Sequence, residues 1–290
     1  MADVVYRLKG HEKFPLREGW LAKGLKEFKD NETLFLQKDA PDKLGVGTNM
    51  VKSIRYWMQA CGLIVRAKNK KESLSELGEI ISCYDPYFED EFTLWLLHSN
   101  LVCNKEFATT WYMFFNKLDI TRFTKELAHE IVLKNIEEYI HEEINPSSLK
   151  DDIDVLFNMY TCNNRKNEDP EDKMVSPFTE LGLLKAEINH YIKFSPDTRK
   201  LSEYIILYEL SKKFKDVNAL SIDDAILHEE GICSIYNLSH VEANRYLDKL
   251  DALKYIRVNR TAGLDMIYKV NVPESPIEVV KKYYEAECRL

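Results

Sequence analysis

Between residues 43 and 71 the chain reads KLGVGTNMVKSIRYWMQACGLIVRAKNKK, with seven basic residues (Lys43, Lys52, Arg55, Arg66, Lys68, Lys70, Lys71) and no Asp or Glu. The whole protein carries a formal charge of −8. Positive charge gathered into one stretch of an acidic chain is the electrostatic footprint of phosphate binding. The residue types agree with that chemistry. Gly45 and Gly47 punctuate a turn, Thr48 is suited to cap a helix, and a helix is predicted from Asn49 to about Cys61. At roughly 100° per residue, Met50, Val51, Ile54, Trp57, Met58 and Cys61 fall on one side. Asn49, Lys52, Ser53, Arg55, Tyr56 and Gln59 fall on the other, offering cations, amides and hydroxyls to phosphates and base edges. A strand-like Leu63 to Arg66, a basic turn from Ala67 to Lys71 and a return near Leu74 follow. The alternative is an amphipathic helix with a merely solvated face.

Catalytic chemistry finds less to work with. Gly45-Val46-Gly47-Thr48 lacks the spacing and the lysine of a nucleotide-binding loop, and no GxGxxG, GxSxG, HExxH or EF-hand pattern occurs. Two Glu-x-x-His pairs, Glu138–His141 and Glu187–His190, have the spacing that di-iron bundles use on helices. Chance supplies such pairs in a Glu-rich chain, and Pro146 and Pro196 shorten the helices that would carry them. Asp151/Asp152 and Glu142/Glu143 read as solvated helix surface. No nucleophile, base, metal cage or cofactor site is assigned, and the protein is expected not to be an enzyme.

The elements that must position the basic stretch are helical. The 290 residues are 45% hydrophobic, with 16 Tyr and 13 Phe, enough to bury a sizeable core. Ten Gly and nine Pro are few, as expected for helices joined by short loops. The six Cys, with no CxxC pair, read as reduced thiols. MADVVYRLKGHEKF lacks the order of a secretion signal, and no apolar run approaches the ~18 residues needed to cross a bilayer. A soluble, cytoplasmic protein is expected.

Residues 4–8 alternate as a strand, and a helix is predicted over Leu16–Phe28. Ser75 opens another helix that Asp85-Pro86 breaks, closing a first module near residue 87. Trp111-Tyr112-Met113-Phe114-Phe115 is too continuous for a two-sided helix and implies burial on most sides. Residues 162–176, dense in charge, read as a loop, and 181–194 is a helix or a strand pair. After Ser195-Pro196-Asp197, helices fit 198–214, 221–229 and 239–253, the last opened by a capping box at Ser239-His240-Val241-Glu242. Strands fit 255–260 and 266–270, and a final amphipathic segment runs from Pro276 to Cys288. The fold class expected is mainly α, with winged helix-turn-helix modules at both ends (1–87 and 196–290) of a helical middle domain (88–195). In the C-terminal module Arg245, Lys249, Arg257 and Arg260 are candidate DNA contacts, with dimerisation or partner docking as the alternative.

Six phrases are similar to a bacterial family of unknown function encoded beside DNA phosphorothioation (Dnd-type) operons. They are GHEKFPLREGWLAKGL, LGVGTNMVKSIRYWMQACGLI, DPYFEDEFTLWLLH, TTWYMFFN, PSSLKDDIDVLFNMY and EDPEDKMVSPFTELGL, and the resemblance spans most of the chain, thinning after about residue 200. The resemblance implies a DNA-associated accessory protein of a modification and phage-defence system and supplies no catalytic residues. The expected partner is duplex DNA, held largely through phosphates. A scaffold for a cysteine desulfurase or sulfur-transfer protein, a regulator of its own operon, and a homodimer stay open. No membrane is involved in this reading.

Overall fold

A computed structural model of the chain describes residues 4–66, 71–161, 175–261 and 263–287. The protein is mainly helical, with three small antiparallel sheets among the described residues. It divides into two compact units, Met1–Phe194 and Ser195–Leu290. No helix among the described residues is long and apolar enough to cross a membrane.

The first unit runs α1 (Trp20–Asp30), α2 (Ala40–Leu44), α3 (Thr48–Ala60), β1 (Ile64–Arg66), β2 (Glu72–Leu74), α4 (Glu76–Tyr84), α5 (Glu91–Val102) and α6 (Thr109–Lys117). It continues through β3 (Arg122–Phe123), α7 (Lys125–Ile140), α8 (Pro146–Tyr160), β4 (Leu184–Glu187) and β5 (His190–Lys193). Residues 4–8 form no strand. The backbone here and just after is instead tied to later helices: the Arg7 N–H donates to Thr109 Oγ1 at 3.0 Å and the Lys9 N–H to Asp152 Oδ1 at 2.9 Å. Helix α1 starts four residues later than expected, because Gly19 takes a left-handed φ of 75° just ahead of Trp20. Residues 184–193, ambiguous in sequence, form the β4–β5 hairpin, on which β3 pairs to complete a sheet of order β3-β5-β4.

Residues on the two sides of position 87 share one core. Tyr56 donates to the Phe107 carbonyl at 3.0 Å, and Asn100 and Asn104 on and after α5 donate to the Cys61 and Ala60 carbonyls at 3.2 Å each. The last turn of α3 is thus capped by side chains far away in sequence. Helix α6 is buried from Thr109 to Asn116, as its unbroken aromatic run demands. At its end Lys193 reaches the carbonyls of Phe114 (3.0 Å) and Leu118 (2.7 Å). Burial pulls this ammonium down to a pKa of about 7. Gly78 permits the tight approach of α4 to the chain leaving α3: a Cβ there would stand 2.2 Å from the Leu63 carbonyl oxygen.

The second unit runs α9 (Glu203–Lys213), β6 (Ala219–Ser221), α10 (Ile222–Ile226), α11 (Ile232–Tyr236), α12 (His240–Ala252), β7 (Ile256–Thr261), β8 (Leu264–Lys269) and α13 (Pro276–Glu287). Its sheet has the order β6-β8-β7, with β7 and β8 paired from Ile256↔Lys269 to Thr261↔Leu264. The capping box forms as its sequence dictates: Ser239 Oγ accepts from the Glu242 N–H at 3.2 Å, and Glu242 returns a carboxylate to the Ser239 N–H at 2.9 Å.

Candidate nucleic-acid interface

The basic stretch falls largely where its periodicity puts it, but its polar face is occupied. Helix α3 spans Thr48–Ala60, with Gly47 rather than Thr48 as its cap residue. Two of the expected surface contacts are core residues: Ser53 is 0% exposed and Tyr56 2%. The reason is the N-terminal segment, which lies across this side of the helix. Ser53 Oγ and Trp57 Nε1 both donate to the Phe14 carbonyl, at 3.4 and 3.2 Å. Arg7 sits 5.1 Å from the Tyr56 ring centroid. Burial, reinforced by the nearby Asp152 charge, pushes the Tyr56 phenol well up, which keeps it a donor. Neither residue is available to DNA.

Arg55 and Gln59 converge on one carboxylate. Glu72, at the start of β2 and 8% exposed, accepts Arg55 Nε at 3.0 Å, Arg55 Nη2 at 2.8 Å and Gln59 Nε2 at 2.5 Å. This forked, charge-assisted geometry fixes the guanidinium on its own hairpin. Lys43 is 3.0 Å from Asp39 and donates to Gln37 Oε1 at 2.6 Å. Lys52 is 57% exposed, 3.8 Å from Glu12 and 3.2 Å from Asn49 Oδ1. That exposed pair is worth little in water. Arg66 and Lys71 are exposed at the facing ends of β1 and β2. Lys68 and Lys70 lie outside the described residues. The acids opposing α3 therefore come from sequence before and after the basic stretch, where inspection of residues 43–71 alone does not find them.

The C-terminal candidates have a different setting. Arg245 and Lys249 lie one turn apart on the exposed side of α12, and Arg245 interacts electrostatically with Glu242 on the preceding turn. Lys249 Nζ rests 5.0 Å from the Tyr246 ring centroid. Arg260, reaching back from β7, bonds Asp248 Oδ1 at 2.6 Å and Asn244 Oδ1 at 2.9 Å. It braces the strand pair against that helix face. Arg257 is exposed on β7, three residues from Arg260 and so on the opposite face of the hairpin.

One polar cluster was not foreseen. His11 and Asp152, read as turn and helix surface, are 0% and 1% exposed. His11 Nδ1 accepts the Lys13 N–H at 3.1 Å, so Nε2 carries the proton donated to Asp152 Oδ1 at 2.9 Å. Thr110 Oγ1 donates to the second carboxylate oxygen at 2.8 Å. The His11 ring stacks on Trp57 at 5.7 Å and meets Trp111 edge-on at 5.6 Å. Gly10 is obligatory here, because a Cβ would fall 2.3 Å from the Tyr56 ring. With no space for a reacting group, this cluster is a latch joining the N-terminal segment to α3, α6 and α8. The adjacency of Gly10 and His11 in the N-terminal segment was the signal the sequence offered. The two Glu-x-x-His pairs dissolve: His141 ends α7 in a left-handed turn, and Glu187 and His190 face each other across the β4–β5 hairpin.

These features define a mainly helical, two-unit protein in which the expected contacts Arg245 and Lys249 on α12 and Arg66 and Lys71 beside the β1–β2 hairpin are exposed. The chain belongs to the DUF4007 family, described as a protein of unknown function, whose model matches residues 8–284. No curated protein matches it. Two solved structures are similar: a magnesium ion-bound SspB crystal structure, 24% identical with a TM-score of 0.86, covering 96% of this chain and 88% of that one. The second is an SspB crystal structure, also 24% identical with a TM-score of 0.86, covering 98% of this chain and 90% of that one. At this identity the likeness is one of fold.

Proposed function

We propose that this chain is an accessory protein of a DNA phosphorothioation and phage-defence system that binds duplex DNA mainly through phosphates. Family membership and the SspB-like fold support the association with that system. The order of helices and strands in the second unit, α9-β6-α10-α11-α12-β7-β8, supports reading it as a winged helix-turn-helix with α12 as recognition helix. The observation that carries DNA contact is the exposed Arg245–Lys249 pair on α12, of which only Arg245 interacts with a carboxylate among the described residues, that of Glu242 one turn earlier. On α3, by contrast, Arg55 and Gln59 are committed to Glu72 and Lys52 faces Glu12. The weight of this reading therefore moves to the C-terminal unit.

The role is one of binding, and no catalytic step is assigned. One of the similar structures holds magnesium. Among the described residues no group of three or more His, Cys, Asp or Glu side chains is placed to hold a metal ion. No step is therefore routed through one.

The test is fluorescence anisotropy with a labelled random duplex at low salt. Arg245→Glu/Lys249→Glu should weaken binding at least tenfold, and Lys52→Glu by less. Unchanged affinity in a folded double variant refutes the reading. A second reading, a scaffold for a cysteine desulfurase or sulfur-transfer protein, is favoured by exposed Val241 (62%) and Leu253 (51%) flanking the same helix face. Co-purification that survives nuclease and high salt supports it over DNA binding.

A further inference from the structure

The first turn of α12 carries an apolar side chain where a charged one would serve the helix better. Ser239 caps the helix, so Val241 is its second residue, and it is 62% exposed. Asp or Glu this close to a helix start complements the dipole, whereas a β-branched residue is a poorer helix former. A single exposed apolar residue is ordinary on a protein surface; this one is set apart by its neighbours. At roughly 100° per residue, Val241, Arg245 and Lys249 fall within about 80° of one another and form one exposed stripe. His240 stands about 100° from Val241, on the side away from Arg245.

The polar groups beside Val241 are engaged within the chain. Glu242 Oε2 accepts the Ser239 N–H at 2.9 Å, Ser239 Oγ at 2.7 Å and Ser195 Oγ at 2.9 Å. Asn244 donates to the His240 carbonyl at 2.9 Å and accepts Arg260 Nη2 at 2.9 Å. Asp248 accepts Arg260 Nη1 at 2.6 Å. Val241 is therefore the side chain that heads the stripe. Helix α11 ends at Asn237, whose left-handed φ of 51° turns the chain through Leu238 into the cap of α12. In a helix-turn-helix the N-terminal residues of the second helix reach base edges. A valine pressed there against a polar edge strips water from a donor or acceptor and returns no hydrogen bond. The major groove offers one apolar group, the 5-methyl of thymine.

We propose that Val241 reads thymine by packing on its 5-methyl group, so that the protein prefers duplex sites with a thymine beneath the first turn of α12. This rests on α12 being the DNA-contacting helix and adds base selectivity to its phosphate contacts. The probes are an alternating dA·dT duplex and the same duplex built with deoxyuridine, which lacks only that methyl. Binding of the full chain to each is measured by fluorescence anisotropy at low salt. Wild type should bind the thymine duplex about fourfold more tightly, the worth of one buried methyl group. Val241→Ser, at an exposed position that leaves the fold intact, should abolish the preference. Equal binding of both duplexes by wild type overturns the proposal and leaves phosphate contact standing, because the two carry the same phosphates. A preference that persists in Val241→Ser reports groove shape and overturns it too. Wild type that binds neither duplex overturns both this proposal and DNA binding through α12. Loss of a co-purifying protein from Val241→Ser, with equal binding of the two duplexes, gives the valine to the scaffold reading instead.

Discussion

Replacing Glu72 separates two roles that sequence assigns to the same residues. Glu72 accepts two nitrogens of Arg55 and one of Gln59, with its side chain 5% exposed and that of Arg55 33% exposed. Breaking a fully buried pair by removing one partner costs about 3–5 kcal/mol. Arg55 keeps a third of its surface in water, so the charge left behind is partly hydrated and the cost is lower. Glu72→Ala should therefore destabilise the protein by about 2 kcal/mol, and Glu72→Gln, which still accepts one bond, by about 1 kcal/mol. Urea unfolding followed by circular dichroism measures both. A loss under about 0.5 kcal/mol for Glu72→Ala refutes the claim that this carboxylate holds the pair. The same variants probe DNA contact. An Arg55 released from Glu72 adds at most one phosphate contact, steepening the salt dependence by about 0.9. If Arg55 contacts DNA only after leaving Glu72, Glu72→Gln binds DNA more tightly than wild type despite being less stable. Arg55→Glu is a poor test of DNA binding, because it sets two carboxylates against each other in the hairpin.

Asp152→Ala leaves the His11, Thr110 and Lys9 donors without acceptors in the core and should cost about 3 kcal/mol, with loss of near-ultraviolet dichroism from Trp57 and Trp111. Retention of wild-type stability would mean the latch is not structural. Gly78→Ala should destabilise by about 2 kcal/mol through overpacking against the Leu63 carbonyl, measured by the same unfolding assay; a neutral result contradicts the close approach. Lys193 has a folded pKa of about 7 against an ordinary 10.5, so between those values the unfolded chain binds the extra proton and stability rises with pH. Lys193→Met removes this contribution: wild type should gain stability relative to the variant from pH 7 to pH 10, and a constant difference refutes the assignment.

Local structure was largely legible. The capping box at Ser239 and Glu242, the Asp85-Pro86 break and the β7–β8 hairpin follow from short-range rules, and the structure shows each near its expected residues. The burial of Trp111–Phe115 was likewise written in its composition. What could not be read was which long-range neighbour covers a given face. A helical wheel for α3 correctly buries Val51, Ile54, Trp57, Met58 and Cys61, but it exposes Ser53 and Tyr56. Only the segment containing Phe14 and the carbonyl of Phe107 close that side, from 39 and 51 residues away. The charge argument failed for a related reason. Counting within 43–71 finds no acid, while Asp39 and Glu72 just outside the window, and Glu12 far upstream, pair into it. The strand expected at 4–8 was an alternation of residue types without a sheet to join. On α12 three acids (Glu242, Asp248, Asp251) stand near the cations, yet Arg260 takes up Asp248 and leaves Arg245 and Lys249 exposed.

The claim on which the account rests is that those cations meet DNA phosphate, and salt dependence addresses it most directly. Binding of the full chain to a random duplex, measured across a range of salt concentrations, should give log K falling with log salt at a slope near −4 to −5, for about five phosphates. Arg245→Glu/Lys249→Glu should reduce that slope by about 2. A slope near zero, or one that the double variant leaves unchanged, contradicts phosphate contact through α12.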